Sequence, residues 1–338
     1  YVLFAPMNRA AIDIRLRRLG NAPVTVTALS LQPLGPLRQI APYALPAGLT
    51  PRSPLRIALV ADTFTATALQ LEAEVLILSA DDWRAEIDRF GPDLLLVESA
   101  WNGNDGQWRY AIAGIKPGDR RLADLTEHAR RTGIPSLFWN KEDPAHYDDF
   151  IAAARLCDIV ATTDANVVEC YRTELGHDRV FALPFCIQPD IHNPRQAQSD
   201  TSDRLDAAVF LGSWWASKFD SRRSAQEQLF AGAAGHSLEI FDRYLTWDDH
   251  ERYRFAPEWL PYVHGTLTYD QALTAYRHYR TVLNVNTVTD SPTMFSRRAL
   301  EAAASGAVVV SNPSLGTTAA LGDIVRSAAT AEECSQAL

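Results

Sequence analysis

The chain has 338 residues and a formal net charge of -9, long enough for two α/β domains that each bury a core. An acidic balance argues against a nucleic-acid backbone or an anionic membrane as main partner, because either favours a basic surface, whereas nucleotide binding needs only local positive charge. Cys157, Cys170, Cys186 and Cys334 stand apart with no CxxC pair, which fits reduced thiols better than a disulfide frame or a zinc site.

In chain order, residues 1–50 differ from the rest of the chain. Residues 12–19 (IDIRLRRL) and 24–34 (VTVTALSLQPL) alternate apolar and polar positions around a turn containing Gly20 and Pro23. This pattern predicts two antiparallel strands, the β-rich end of an upstream domain. Pro33, Pro36, Pro42, Pro46, Pro51 and Pro54 then mark a linker. With Tyr1 in first place and a helix-like pattern over the last residues, the chain is expected to be a piece of a longer protein.

From residue 55 the pattern changes. Residues 56–62, 73–80, 92–99, 134–140, 157–164 and 179–185 are short runs, most of them continuously apolar, as in strands buried on both faces of a parallel sheet. Residues 82–90, 122–132, 147–156 and 165–175 between them read as helices. The first domain is therefore expected to be Rossmann-like over 55–195, with its chemistry at the carboxyl ends of strands. Asp62, Thr63, Glu98, Ser99, Thr163 and Asp164 occupy such ends; for Asp62 and Asp164 the expected role is helix capping. In VESAWNGNDGQW (97–108) Glu98 ends the strand and Trp101 brings an indole that can stack on a sugar face. In FWNKEDPAHYDDF (138–150) Lys141, Glu142 and Asp143 are adjacent charges at a strand end, pointed into a site or into solvent, and Asp143 before Pro144 also fits a helix N-cap.

A polar stretch, 193–204, separates the second half. Runs at 207–215, 237–242, 262–265, 281–286 and 307–311, with helices at 220–234 and 270–279, predict a second parallel domain over 205–338, cut short at its end. After the first of these runs, Gly212, Ser213 and Trp214 form a turn that can offer backbone N–H groups to a diphosphate, with Lys218, Arg222 and Arg223 nearby. Asp242 and Arg243 end the next strand, which makes Arg243 a further basic candidate for the diphosphate.

Residues 281–311 are the most informative. A strand ending near Asn284 and Asn286 leads through a loop with Asp290, Ser291 and Pro292 to a helix with Ser296 as N-cap. That helix carries Arg297, Arg298 and Glu301 and stops at Ser305 and Gly306. The amino end of such a helix attracts anions, and two arginines sharing a face with a carboxylate suit a phosphate and a ribose diol.

This last segment, with VESAW, FWNKEDP, TTD, LPF and GSWW in the expected order, resembles the GT-B glycosyltransferases related to the CgeB spore-maturation protein. The resemblance implies two Rossmann-like domains facing across a cleft, with residues 182–194 crossing between them. It implies a nucleotide-sugar co-substrate with Glu301 on the ribose, and Arg297, Arg298 and the Gly212 turn on the diphosphate. By analogy it makes Glu142 or Asp143 the candidate general base, with Glu98, Trp101 and Lys141 on the acceptor side. The sequence departs from many retaining members at Thr293, where they carry a second glutamate.

The expected function is therefore hexosyl transfer to an acceptor hydroxyl in bacterial cell-surface or spore glycan synthesis. A non-catalytic glycan- or partner-binding module and a sugar-nucleotide epimerase are the alternatives. No D-x-D, Walker A, G-x-S-x-G or H-E-x-x-H motif occurs, so no metal or further cofactor is expected. No apolar run reaches membrane-spanning length and no signal peptide is visible, and the cytoplasm is the expected location.

Overall fold

The computed structural model describes residues 34–45, 48–194, 204–246 and 252–338. The hairpin expected near the start lies, apart from Leu34, outside the described residues. The first half contains β1 (Arg56–Val60), α1 (Thr63–Leu69), β2 (Glu74–Ile77), α2 (Trp83–Phe90), β3 (Leu94–Glu98), α3 (Arg121–Arg131), β4 (Ser136–Asn140), α4 (Tyr147–Ala154), β5 (Ile159–Thr162), α5 (Val168–Leu175) and β6 (Val180–Ala182). Its strands form one parallel sheet in the order β2-β1-β3-β4-β5-β6. The continuous apolar runs are explained by cover on both faces. Ala58, Val60, Leu95, Val97, Phe138 and Val160 enter one core, while Ile57, Leu59, Leu96, Trp139 and Ala161 enter another.

The second half contains β7 (Leu205–Gly212), α6 (Asp220–Ala233), β8 (Leu238–Asp242), β9 (Val263–Gly265), α7 (Tyr269–His278), β10 (Tyr279–Asn284), α8 (Arg297–Ala304), β11 (Val308–Ser311), α9 (Leu315–Leu321), β12 (Val325–Ser327) and α10 (Ala331–Ala337). These strands are also all parallel, in the order β12-β11-β10-β7-β8-β9. Strand order reverses between β1 and β3 in the first sheet and between β7 and β10 in the second. Such switch points open a crevice at the carboxyl ends of the strands. Elements α1, α9 and β12 were not expected; at three to seven residues each, they are too short to display a period.

The carboxyl edges of the two sheets meet. Residues 183–194 cross between the halves, and Leu71, Ile191 and Leu273 pack together at the crossing. Arg277 donates through Nε to the carbonyl of Asn193 at 3.0 Å, which ties the crossing segment to α7. Among the described residues no helix is long and apolar enough to cross a membrane.

Candidate functional site

On the second-half wall, β7 ends at Gly212 and α8 starts at Ser296. The guanidinium of Arg298 reaches from the first turn of α8 to the Gly212 turn. It lies 4.9 Å from the centre of the Phe210 ring, and its Nη1 is buried without a hydrogen-bond partner. Arg222 in α6 donates to the carbonyl of Ser213 at 3.2 Å and to Gln226 at 2.9 Å. Burial, reinforced by the charge of Arg298, brings Arg222 down to about 10. Burial also lowers Arg298, with Tyr276 opposing and Arg243 adding to the effect. Arg298 thus has two like charges near it, Arg222 and Arg243, the latter joined to the turn by its backbone N–H on the Gly212 carbonyl at 3.0 Å, an arrangement that an anion relieves.

The start of α8 is held by Asn286. Its Oδ1 accepts from the backbone N–H of Ser296 at 2.7 Å, while its Nδ2 donates to Ser311 at 3.1 Å and Thr317 at 3.0 Å. Asn286 is therefore a positioning residue rather than the direct donor contact expected, because both ends of its amide are engaged within the protein. Ser296 takes the N-cap place, although its side chain makes no cap bond. Trp214 also differs from expectation: it is only 3 % exposed, tucked into the core beside Phe230 and Phe255.

Adjacent arginines on α8 have separate surroundings. Arg297 Nε pairs with Glu301 Oε1 at 2.5 Å, and its Nη2 donates to the carbonyl of Phe64 in the first half at 3.1 Å. Glu301 Oε1 also accepts from Tyr269 at 3.0 Å and lies 3.4 Å from His192 Nε2. The backbone N–H of Gln188 donates to His192 Nδ1, and Nε2 of the same ring lies 3.1 Å from the Tyr269 hydroxyl and faces Glu301. Burial alone would raise the Glu301 carboxyl, but Arg297 and His192 outweigh it and hold it at about 2. Arg297 thus ties the two halves through Nε and Nη2, and Glu301 is a buried carboxylate kept charged.

On the first-half wall, Lys141 Nζ bonds both Glu98 Oε1 and the Thr65 hydroxyl. Both ionic side chains are nearly buried, and Glu98 Oε2 is buried without a hydrogen-bond partner. Burial lowers the Lys141 ammonium, against the opposing charge of Glu98. Glu142 is half-buried; burial raises its carboxyl, while His146, the Trp101 indole, Lys141 and Arg243 pull it down. Trp101, 40 % exposed, stands edge-on to His146 at 4.9 Å.

Asp143 lies apart from this wall and is fully buried. Asn140 donates to it at 2.8 Å, Thr162 at 2.6 Å and Tyr171 at 3.1 Å. Burial lifts its carboxyl to about 7 despite the Thr162 and Tyr171 bonds. Enclosed by those three donors, Asp143 has no route to an acceptor hydroxyl, which corrects its candidacy as base.

Asp62 and Asp164 share one expectation and diverge. Asp164 does cap, accepting from Asn166 N–H at 3.0 Å, and its Oδ1 also accepts from Ser291 of the second half at 2.6 Å. Asp62 occupies the N-cap place of α1 but makes no cap bond, and instead accepts from Gly103 N–H at 3.2 Å. Thr293 bridges the halves as well: its hydroxyl donates to the carbonyl of Thr163 and accepts from Ala165 N–H, both at 2.8 Å. These contacts escaped sequence reading because the partners lie far apart in the chain.

Residues 222–338 match a family model described as glycosyl transferase-like. A search of curated proteins found no match. Among solved structures, an alpha-glucosyltransferase in complex with UDP-glucose and DNA containing an abasic site is similar with a TM-score of 0.52 at 10 % identity, over 78 % of this chain and 81 % of that one. A glycosyltransferase from Rickettsia africae gives 0.45 at 9 % identity, over 84 % and 86 %. Anabaena HepE in complex with UDP-glucose gives 0.45 at 13 % identity, over 83 % and 85 %. With the two sheet orders, the first likeness shows the fold: two Rossmann-like domains in the GT-B arrangement.

Proposed function

We propose that this chain transfers a sugar, a hexose in the first instance, from a nucleotide-sugar donor held by the second half to a hydroxyl acceptor entering against the first. The observation that carries the reading is Arg298, a guanidinium with a buried, unpartnered Nη1 set against the bare Gly212 at the switch point of the second sheet. Its needs are met by a diphosphate, whose charge also offsets the crowding of Arg222 and Arg243. The amino end of α8 and the N–H groups of the Gly212 and Ser213 turn complete the cradle. Glu301 uses Oε1 for its three protein donors, and Oε2 receives the ribose diol.

In the reaction the acceptor oxygen bonds to the anomeric carbon while the carbon–oxygen bond to the diphosphate breaks. The electron pair leaves with the nucleoside diphosphate, and the guanidiniums stabilise the departing charge without need of a metal. On the acceptor side, Trp101 offers a stacking face, and Glu142 and Asp62 are the carboxylates at the seam. The glycosyl transferase-like match over 222–338 supports the donor assignment. The UDP-glucose in the alpha-glucosyltransferase of the same fold makes UDP-sugars the first donors to try. The resemblance to CgeB-related proteins supports a product among bacterial cell-surface or spore glycans, made in the cytoplasm.

The test is the melting temperature against UDP, GDP, TDP, ADP and CMP, with Arg298→Gln in parallel. A ligand present at a hundred times Kd stabilises the native state by roughly 2.7 kcal/mol. A shift with one nucleotide, diminished in the variant, supports the reading. No shift with any of them, in folded protein, rejects it in favour of a non-catalytic module.

A further inference from the structure

We infer that Asp62 is the general base that takes the acceptor proton, a role that rests on the transferase reading. Its position carries the argument. Asp62 lies two residues after the last residue of β1, beside the switch point between β1 and β3, at the centre of the acceptor crevice. The next turn of chain docks on the donor wall: the carbonyl of Phe64 accepts from Arg297 at 3.1 Å, and the Phe64 ring lies 4.5 Å from that of Tyr269 and 5.7 Å from the guanidinium of Arg243. Asp62 therefore stands where the two substrates must meet.

The carboxylate is also unoccupied by the work its position predicts. It makes no bond to the start of α1, and Gly103 N–H engages only Oδ1. Glu142, by contrast, has His146 and the Trp101 indole lowering its carboxyl against the burial that raises it. A second observation points to a ligand here. Glu98 is 3 % exposed and belongs to the same crevice, yet its Oε2 has no hydrogen-bond partner. A buried acceptor atom left open awaits a donor, and an acceptor hydroxyl or its neighbour on the same sugar supplies one.

The charges facing Asp62 come from several elements: Glu98 at the end of β3, Lys141 after β4 and Arg243 after β8. Arg297 of α8 acts on Lys141. Burial and the Glu98 charge raise the Asp62 carboxyl, with the Gly103 bond, Lys141 and Arg243 opposing. A raised carboxylate is a better base. In the step itself, Asp62 Oδ2 receives the hydroxyl proton as the oxygen bonds the anomeric carbon and the diphosphate departs with its electron pair. A single displacement assisted by a general base inverts the anomeric centre, and inversion is the outcome expected here.

The experiment compares wild type with Asp62→Asn, using UDP-glucose, or the glucose ester of whichever nucleoside diphosphate raises the melting temperature. Monosaccharides, methyl glycosides and water serve as acceptors. The expected result is unchanged nucleotide affinity with turnover lowered roughly 10²–10⁴-fold, and an inverted product by NMR. In Glu98→Gln the acid limb of the kcat/KM profile moves to lower pH, because a charge that raises Asp62 is gone. Absence of nucleotide binding in wild type removes the transferase reading and this inference with it. Nucleotide binding with full turnover in Asp62→Asn, or a retained anomer, overturns the role of Asp62 alone. If none of the acceptors turns over, the Asp62 carboxyl is titrated by carbon-13 NMR, assigned by its loss in Asp62→Asn. A raised value that falls in Glu98→Gln supports the inference, and an ordinary value indifferent to Glu98 overturns it.

Discussion

Arg298 Nη2 lies 2.8 Å from the place that a Cβ on Gly212 would occupy. The guanidinium therefore rests against bare backbone, and the absence of a side chain at Gly212 is what lets it reach the turn. Gly212→Ala is expected to displace Arg298 and also to press on Phe210, whose ring is 2.9 Å from the same point. Overpacking of this kind costs about 1–3 kcal/mol. Losing a charged hydrogen bond to phosphate weakens binding roughly ten- to hundredfold. Calorimetric titration with the nucleotide that shifts the melt checks this; unchanged affinity would remove Arg298 from the cradle.

Glu301 is held charged by Arg297 and His192 in a buried setting. A carboxyl lowered from 4.5 to about 2 contributes stability that is present above pH 4.5 and lost as pH falls through about 2. Glu301→Gln keeps the shape but leaves Arg297 without its carboxylate, at a cost of about 3–5 kcal/mol near neutrality. The gap between wild type and variant should narrow steadily in denaturant melts taken from pH 5 down towards 2. A gap that stays constant with pH would mean the ion pair contributes little.

Asp143 is expected to behave as a structural acid. Its carboxyl rises on folding from 3.8 to about 7, so the folded state favours the protonated form, and the contribution to stability is greatest below pH 3.8 and declines as pH rises through about 7. Asp143→Asn should escape that decline and gain on wild type between pH 4 and 8, with turnover preserved. Asp143→Ala removes the acceptor shared by Asn140, Thr162 and Tyr171, of which Asn140 keeps its bond to the Tyr171 hydroxyl, and should cost about 1–3 kcal/mol. Loss of turnover in a well-folded Asp143→Asn protein would restore Asp143 to the chemistry.

Thr293 joins the halves through one hydroxyl. Thr293→Val keeps the volume and leaves Ala165 N–H without its acceptor, at a cost of about 1–3 kcal/mol. Amide exchange at 163–166 should quicken, together with exchange in the 287–296 loop that also carries the Ser291 to Asp164 bond. Exchange at the wild-type rate in both segments would show that the bridge does not hold the halves together.

Much of the architecture was legible because it depends on short-range signals. The six apolar runs of the first half each became a strand; the four inner ones are buried on both faces, as continuous apolar character marks, while the edge strands β2 and β6 are partly exposed. The helix read from Ser296 to its stop at Ser305 and Gly306 is α8, because cap chemistry and glycine act within a turn. Adjacent residues with different fates were not legible. Trp214 enters the core, whereas Trp215 stands edge-on to Tyr253.

Sequence by itself determined the fold class, the two parallel sheets and the strand–loop–helix stretch that contains α8, because periodicity and capping are properties of a few consecutive residues. Only the tertiary structure decided what each charged group does. Arg297 and Arg298 point about 100° apart on one helix, so one ties the halves through Phe64 while the other reaches Gly212. Asp62 and Asp164 hold the same kind of position, yet one caps its helix and the other turns to Gly103. A side chain's partner is set by which distant segments fold against it, and that proximity is created by the packing of two sheets rather than by neighbours in the chain.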